Sequence, residues 1–63
     1  MYTWINTEQT ELWEAIYCEC CKHKWTIEKW TKENGTWKKT GEYKRFDSLE
    51  EARDFAKKDL KLI

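Results

Sequence analysis

The segment from Trp25 to Leu60 first alternates apolar and polar residues with period two and then changes to helical spacing. Its first part contains the turn sequence Lys32-Glu33-Asn34-Gly35-Thr36. We interpret this part as a β-hairpin with a type I turn, in which Gly35 takes the left-handed conformation and closes a three-residue loop. The pattern therefore predicts two antiparallel strands leading into a helix.

The turn determines which residues share a sheet face. With Lys32 opposite Thr36, one face carries an apolar set: Trp25, Ile27, Trp37 and Tyr43. A two-residue Asn-Gly turn would distribute these four residues over both faces, because a one-residue slip of register inverts every side chain. We therefore expect the three-residue loop.

A helix is expected to begin next to residue 48. Asp47 or Ser48 supplies an N-cap oxygen, and Ser48 with Glu51 has the spacing of a capping box. Acidic residues open the segment and lysines close it, which suits the helix dipole. Its apolar positions recur at helical spacing: Leu49, Ala52, Phe55, Ala56, Leu60 and Ile63. This stripe is expected to cover the apolar sheet face.

The segment upstream of the hairpin has two interpretations. Glu14–Cys20 has the pattern of a first strand, followed by a four-residue loop. In that register the buried face gains three residues: Ile16, Cys18 and Cys20. The alternative is a helix from Thr7 to Tyr17 capped by Asn6, because short apolar runs fit either period. Tyr2–Ile5 is a candidate edge strand.

These elements predict an α+β fold: a three-stranded or four-stranded antiparallel β-meander packed on one C-terminal α-helix. All 63 residues are expected to form a single small domain, 1–63. A chain of this length buries only about 60% of the surface that its unfolded form exposes, so we expect modest stability. Five Trp, three Tyr and two Phe supply the large side chains that compensate.

Charge is balanced overall but not along the chain. Twelve basic and twelve acidic side chains cancel, whereas residues 18–46 contain eight Lys or Arg against four Glu. Overall neutrality argues against binding nucleic acid by charge alone. The N-terminus has no signal-peptide pattern and no apolar run is long enough to span a membrane. We therefore expect a cytoplasmic protein with reduced cysteines and no membrane partner.

The segment from residue 18 to residue 23 concentrates side chains that bind metals. Its candidate ligands are Cys18, Cys20, Cys21 and His23. In an extended segment Cys18 and Cys20 would point to one face and the other two to the opposite face, so one ion could not collect all four. We expect no cofactor, with Cys18 and Cys20 acting as small core hydrophobes. The alternatives are zinc held between two chains and a redox role for an exposed Cys21.

No catalytic arrangement is evident, and we expect that the protein is not an enzyme. Cys21 and His23 lie two residues apart on a tight loop, which is poor geometry for a nucleophile and its base. The carboxylates follow solvated faces and form no catalytic pair.

The expected outward face of the sheet carries the candidate binding residues. It combines aromatic and basic side chains from three strands: Trp13, Tyr17, Trp30, Lys32, Lys38 and Lys44. Exposed aromatic residues framed by charge have the composition of a binding hot spot. The alternative is that Trp4, Trp13 and the N-terminal segment fold over this face as a second small core, because a short chain gains from burying every aromatic residue.

The order of elements and the junction Phe46-Asp47-Ser48-Leu49-Glu50-Glu51-Ala52 are similar to the arm-type DNA-binding domain of tyrosine integrases, over about residues 16–60. In that family a Phe, a Ser or Thr cap and Glu-Ala open the helix, and the sheet lies in the major groove. The resemblance implies that four residues would face the groove or the phosphates: Trp30, Lys32, Lys38 and Lys44. This chain lacks the strongly basic character of that family.

We therefore expect a small non-catalytic protein-binding module. Its compactness and neutral charge resemble small accessory proteins of phages and mobile elements, many of which bind and inhibit a host enzyme. A nucleic-acid-binding domain that uses the outward sheet face is the first alternative. A homodimer, bridged by zinc or paired through sheet edges, is the second.

Overall fold

The sheet consists of four strands joined in sequence order, in the part of the chain that the structure describes. The structure is a computed structural model that describes residues 2–63. The elements are β1 (Tyr2–Ile5), β2 (Glu11–Tyr17), β3 (Trp25–Glu33), β4 (Thr36–Phe46) and α1 (Leu49–Asp59). Neighbouring strands are antiparallel, in the order β1-β2-β3-β4. The predicted α+β meander with one C-terminal helix is confirmed, in its four-stranded form.

The segment that had two interpretations, strand or helix, is a strand that ends at Tyr17, and its bounds differ from those predicted. β2 is Glu11–Tyr17, so the expected strand Glu14–Cys20 is wrong by three residues at each end, and the helix alternative is wrong. Asn6 Oδ1 accepts hydrogen bonds from the backbone N–H groups of Thr10 (2.8 Å) and Glu11 (3.0 Å). Asn6 therefore closes the β1–β2 turn instead of capping a helix.

The β3–β4 turn has two residues, and the predicted three-residue loop is wrong. Asn34 (φ 51°) and Gly35 (φ 80°) both have positive φ, which is the type I′ conformation. Glu33 therefore pairs with Thr36. The twist of a type I′ turn matches the twist of the two strands, whereas a type I turn of two residues would splay them.

This register separates the four apolar residues that were expected on one face. Trp25 and Ile27 pair with β2 residues on the side of α1, but Trp37 pairs with Lys32 and Tyr43 with Glu28, on the other side of the sheet. The predicted shared face is therefore wrong.

A bulge in β4 changes the register again further along the hairpin. Three residues of β4, 40–42, lie opposite the single residue Lys29 of β3. The Thr40 hydroxyl donates a hydrogen bond to the Lys29 carbonyl (3.3 Å), and Gly41 takes a φ of 88°. Beyond the bulge, Trp25 pairs with Phe46, the last residue of β4.

α1 packs on one face of the sheet and completes the core. The buried residues are Trp13, Ala15, Ile27, Ala52, Ala56 and Leu60. Partly buried hydrophobic residues pack around them: Trp4, Trp25, Phe46, Leu49 and Phe55. Small residues on the buried side of α1 leave room for the large indole of Trp13. The predicted helix stripe is confirmed from Leu49 to Leu60, whereas Ile63 is 84% exposed.

The N-terminus of α1 is capped by Ser48. Its hydroxyl oxygen accepts a hydrogen bond from the Glu51 N–H at 3.2 Å, and Ser48 itself is extended (φ −137°, ψ 154°). Asp47, the other predicted cap, lies 2.6 Å from His23 Nδ1 instead. Over residues 2–63, no helix combines the length and the apolar character needed to cross a membrane.

The indole of Trp13 is fixed by a polar network at the edge of the core. Trp13 Nε1 donates to Asp59 Oδ2 (2.9 Å), and Lys29 Nζ lies 3.0 Å from the same oxygen and 2.9 Å from Glu11 Oε1. Burial alone would raise the pKa of Asp59, but the hydrogen bonds from Trp13 and Lys29 outweigh it and hold that pKa below its ordinary value. Burial would lower the pKa of Lys29, but its two carboxylate partners hold it above its ordinary value.

Candidate interaction surface and cysteine loop

α1 covers only one face of the sheet, and we call the opposite side the open face. Strand pairing places six large hydrophobic residues on it: Ile5, Leu12, Ile16, Trp30, Trp37 and Tyr43. Ile5 is 43% exposed, Ile16 41% and Tyr43 55%, and the other three are half-buried. Single exposed hydrophobic residues are ordinary, but six residues from all four strands share this face, and Ile5, Leu12 and Trp30 are direct neighbours across β1, β2 and β3. We call these six residues together a patch.

Each aromatic ring of the open face lies under a cation. Lys39 Nζ is 5.4 Å from the centre of the Trp30 ring, and Lys32 Nζ is 5.6 Å from the Trp37 ring. Both lysines are the direct cross-strand partners of those tryptophans. The Arg45 guanidinium lies 5.3 Å from the Tyr43 ring. Such pairs are typically worth about 0.5–1 kcal/mol at exposed positions, so they hold the cations above the rings.

The open face also carries two carboxylates, one of which is paired with a cation. Glu14 and Glu28 are direct cross-strand partners, an arrangement that is unfavourable for like charges. Lys39 Nζ is 3.1 Å from Glu28 Oε2 and offsets part of that repulsion. The geometry of this ion pair is not that of a hydrogen bond. Glu28 Oε2 and Trp30 Nε1 are buried atoms without a hydrogen-bond partner among residues 2–63.

The structure places two of the six predicted binding residues, Trp30 and Lys32, on the open face. Trp13 is fully buried under α1, so its expected place on an exposed face is wrong. Lys44 is also on the side of α1, where its Nζ lies 5.9 Å from the Phe55 ring. The reason in both cases is the register. Odd-numbered residues of β2 face α1, and Lys44 shares that face because it pairs with Ile27, which itself pairs with Ala15.

The two other predicted residues also lie on the side of α1. Lys38 pairs with Thr31, and its Nζ is 3.7 Å from Glu33 Oε2. Tyr17 is 54% exposed at the end of β2, and its ring lies 5.1 Å from that of Trp25. The rings of Tyr2 and Tyr17 flank Trp25 and, with Ala15 and Ile16, line a shallow cavity of about 220 Å³.

The alternative of a second small core on the outward face is also wrong. Trp4 pairs with Trp13, and both lie on the side of α1, where they extend the main core. The N-terminal strand therefore widens the sheet and does not cover its open face.

The open face contains residues that were not predicted as binding residues: Leu12, Ile16, Trp37, Lys39, Tyr43 and Arg45. The signal that could have found the β4 residues is the dipeptide Asn34-Gly35, the favoured sequence of a type I′ turn. A two-residue turn there places Trp37 on the face opposite Trp25.

Residues 18–24 connect β2 to β3, and we call them the cysteine loop. Cys18 and Cys21 are joined by a disulfide, and Cys20 is an exposed free thiol. The expectation that the cysteines are reduced is therefore wrong for Cys18 and Cys21 and is confirmed for Cys20 alone. A core role for Cys18 and Cys20 is also wrong, because β2 ends at Tyr17 and Cys20 is exposed.

The loop brings three of the four candidate metal ligands together. The Sγ atoms of Cys18, Cys20 and Cys21 all lie within 4.8 Å of one another. The expectation that Cys21 points away from the other two is wrong, because the segment turns at residues 19–24 and is not an extended strand. His23 is outside this cluster, and its Nδ1 lies 2.6 Å from Asp47 Oδ1.

The two regions allow different chemistry. The open face combines exposed apolar side chains with cations. In the cysteine loop, Cys21 is bonded to Cys18, so the thiol available for reaction is that of Cys20. The chain matches no protein-family model, no curated protein and no solved structure.

Proposed function

We propose that the protein is a small non-catalytic protein-binding module that docks a partner protein on the open face of its sheet. The observation that carries the proposal is the patch of six hydrophobic residues whose three aromatic rings lie under Lys39, Lys32 and Arg45. Tryptophan, tyrosine and arginine are the residues that most often dominate binding energy at protein interfaces.

The charges of the open face favour a protein partner over a nucleic acid. The three cations of this face share it with two carboxylates, Glu14 and Glu28, which would repel a phosphate backbone, and Lys39 is already paired with Glu28. The lysines also cover the indole faces on which bases would have to stack. The aliphatic residues of the open face, Ile5, Leu12 and Ile16, lie on β1 and β2. A partner with apolar side chains and some carboxylates would contact both these residues and the cations of the face.

Pairing of the sheet edge with a second copy is disfavoured by charge. β4 is an edge strand with 11 residues and carries four cations: Lys38, Lys39, Lys44 and Arg45. An antiparallel pairing of two β4 strands centred on Gly41 would set Lys38 of one chain opposite Lys44 of the other. Lysine-rich edge strands are a common defence against such pairing, which favours a different protein as partner over a second copy paired through β4.

Site-specific photocrosslinking in the natural host tests the proposal. Benzoylphenylalanine is placed at Trp37 or Tyr43 on the open face, and at the exposed Lys58 on α1 as a control. We expect one protein to be captured from both open-face positions and not from Lys58. That protein is then purified, and its affinity for Trp37→Ala should fall at least tenfold, which corresponds to about 1.4 kcal/mol.

Three results would overturn the proposal. The first is capture of the same protein from all three positions. The second is an unchanged affinity of the purified pair on Trp37→Ala, with folding checked by circular dichroism. The third is crosslinking to nucleic acid, accompanied by an affinity for single-stranded oligonucleotides that falls steeply with salt.

A further inference from the structure

We propose that the reduced cysteine loop binds one thiophilic d¹⁰ metal ion through the thiolates of Cys18, Cys20 and Cys21. Zn²⁺ and Cu⁺ share this chemistry, because both accept soft sulfur ligands. The site is independent of the open face, since none of its three ligands belongs to a strand of the sheet.

One of the three sulfur–sulfur distances already fits such an ion, and the Cys18–Cys21 pair reaches the required separation only when its disulfide is opened. A metal–sulfur bond of about 2.3 Å requires sulfur atoms about 3.8 Å apart in a tetrahedral site and about 4.0 Å apart in a trigonal site. The Sγ atoms of Cys18 and Cys20 are 3.7 Å apart, and no two of the three Sγ atoms are more than 4.8 Å apart. Opening the disulfide lets Cys18 and Cys21 separate to the required distance with only local movement.

The backbone of the loop is held in this shape by contacts that do not involve sulfur. The Cys18 N–H donates to the Lys24 carbonyl at 2.7 Å, which closes the base of the loop. Lys24 Nζ donates to the Glu19 carbonyl, and His23 Nδ1 contacts Asp47 Oδ1 beside the helix cap. The three thiols therefore stay close together after reduction.

The surroundings of the loop suit an anionic metal–thiolate centre. The loop carries two lysines, Lys22 and Lys24, against one carboxylate, Glu19, and this positive excess partly offsets the negative charge of three thiolates. Cys20 and Cys21 are exposed, so an ion reaches the sulfur atoms directly from solvent. With three protein ligands, Cu⁺ would be trigonal and Zn²⁺ would keep a fourth position for water or an external thiol.

The oxidised loop is not competent to bind the ion, because two of its sulfur atoms are bonded to each other. An external thiol reductant supplies two electrons and two protons to the Cys18–Cys21 bond, and the reductant is itself oxidised to a disulfide. The bound ion then displaces the thiol protons, which pass to solvent. Metal binding is therefore coupled to the redox state of the loop.

Metal titration of the whole chain tests the proposal. The protein is reduced with a dithiol, desalted without oxygen, and titrated with Cd²⁺ as a spectroscopic probe and with Zn²⁺ and Cu⁺ against chromophoric chelators. We expect one ion per chain by native mass spectrometry, with sulfur-to-metal charge-transfer absorbance from three thiolates. The disulfide form should bind none.

Variants separate the three-sulfur site from simpler ones. Cys20→Ser should weaken metal binding by more than about tenfold. Removing a group that only hydrogen-bonds to a metal ligand already costs about that much in affinity, and loss of a ligand should cost at least as much. Trp37→Ala, on the open face, and Glu19→Gln, in the same loop, should bind as tightly as the natural chain. An unchanged affinity in Cys20→Ser would leave only a two-thiol chelate and overturn the proposal. Three other results would also overturn the proposal. They are a stoichiometry of one ion per two chains, loss of metal binding in Glu19→Gln, and no binding of Cd²⁺, Zn²⁺ or Cu⁺ by the reduced chain.

Discussion

Replacing Trp13 with alanine should remove most of the stability of the fold, whereas the same replacement of Trp30 should remove little. Both residues are tryptophans in neighbouring strands of the same sheet, but Trp13 faces α1 and Trp30 faces outward. The pair therefore tests which side of the sheet forms the core, and with it the position of the open face.

The expected magnitudes follow from burial. Trp13 is 0% exposed, and a buried tryptophan hides up to roughly 250 Å². At about 25 cal/mol/Å² this corresponds to about 6 kcal/mol as an upper bound. Measured replacements of buried aromatic residues by alanine cost about 3–5 kcal/mol. Domains of this length are stable by about 3–9 kcal/mol, so Trp13→Ala should leave the protein largely unfolded or close to it.

Trp13→Phe separates the polar part of this loss from the apolar part. Phenylalanine keeps an aromatic contact with Phe55, whose ring centre is 5.6 Å from that of Trp13. It removes the indole N–H that donates to Asp59, and the expected cost is about 1–3 kcal/mol. Trp30 is half-buried, and Trp30→Ala should cost about 1 kcal/mol.

Urea unfolding followed by far-ultraviolet circular dichroism measures these differences, since fluorescence changes when tryptophans are replaced. The order of cost should be Trp13→Ala, then Trp13→Phe, then Trp30→Ala. A larger loss for Trp30→Ala than for Trp13→Ala would refute the assignment of the two faces.

Three further predictions concern the turn, the cap and the polar network. Gly35→Ala should cost about 1–2 kcal/mol in urea unfolding because its φ of 80° is left-handed. Among residues 2–63 no atom lies within 4 Å of an added Cβ, so a larger loss would point to a steric cause that this part of the chain lacks. Ser48→Ala should cost about 1 kcal/mol and lower the melting temperature by about 4–8 °C. Asp47→Ala should lower the melting temperature less, and the reverse order in calorimetry would identify Asp47 as the N-cap. The lowered pKa of Asp59 in the folded state contributes to the free energy of unfolding. This contribution is fully present above the ordinary aspartate pKa of about 3.9 and is lost as the pH falls through the lower folded-state pKa. Asp59→Asn should therefore reduce the loss of stability between neutral and acidic pH, and an unchanged pH dependence of the urea midpoint would contradict this.

The helix and the meander could be predicted because their signals are local. Ser48 and the apolar stripe of α1 lie within one short segment, and the cap with its Glu51 partner is present as expected. The alternating segments likewise indicate strands without any knowledge of the partner strand. Such signals depend on a few neighbouring residues, and the tertiary structure leaves them in place.

The register could not be predicted from the grouping of apolar residues. We expected Trp37 and Tyr43 in the core because a three-residue loop would group them with Trp25 and Ile27 on one face. The core is instead filled by Trp13 of β2 and by the partly buried Trp4 of β1. The positions of both residues depend on where the first strands begin and end, which the apolar pattern does not determine. With that volume already occupied, the favoured type I′ turn at Asn34-Gly35 decides the register and leaves the β4 aromatic residues outside.

The cysteine loop could not be predicted from spacing alone. A strand over residues 18–20 would set alternate side chains on opposite faces, but the chain leaves the sheet after Tyr17. The bond from Cys18 N–H to the Lys24 carbonyl then brings the ends of the loop together and gathers the three sulfur atoms. This closure depends on where β2 ends, a boundary that hydrophobic period does not determine.

The bulge in β4 explains how an outward aromatic face and a packed helix coexist in one hairpin. Without its two extra residues, the type I′ turn would set Trp25 opposite Lys44 and leave Phe46 beyond the end of β3. The insertion shifts the register by two, an even number, so every side chain beyond it keeps its face. Phe46 therefore comes opposite Trp25 and its ring lies 5.6 Å from that of Phe55 in α1. A bulge of one residue would have exchanged the faces, with Tyr43 turned toward the helix and Phe46 toward solvent. The even shift thus joins α1 to the core and keeps Tyr43 on the open face beside Trp30 and Trp37.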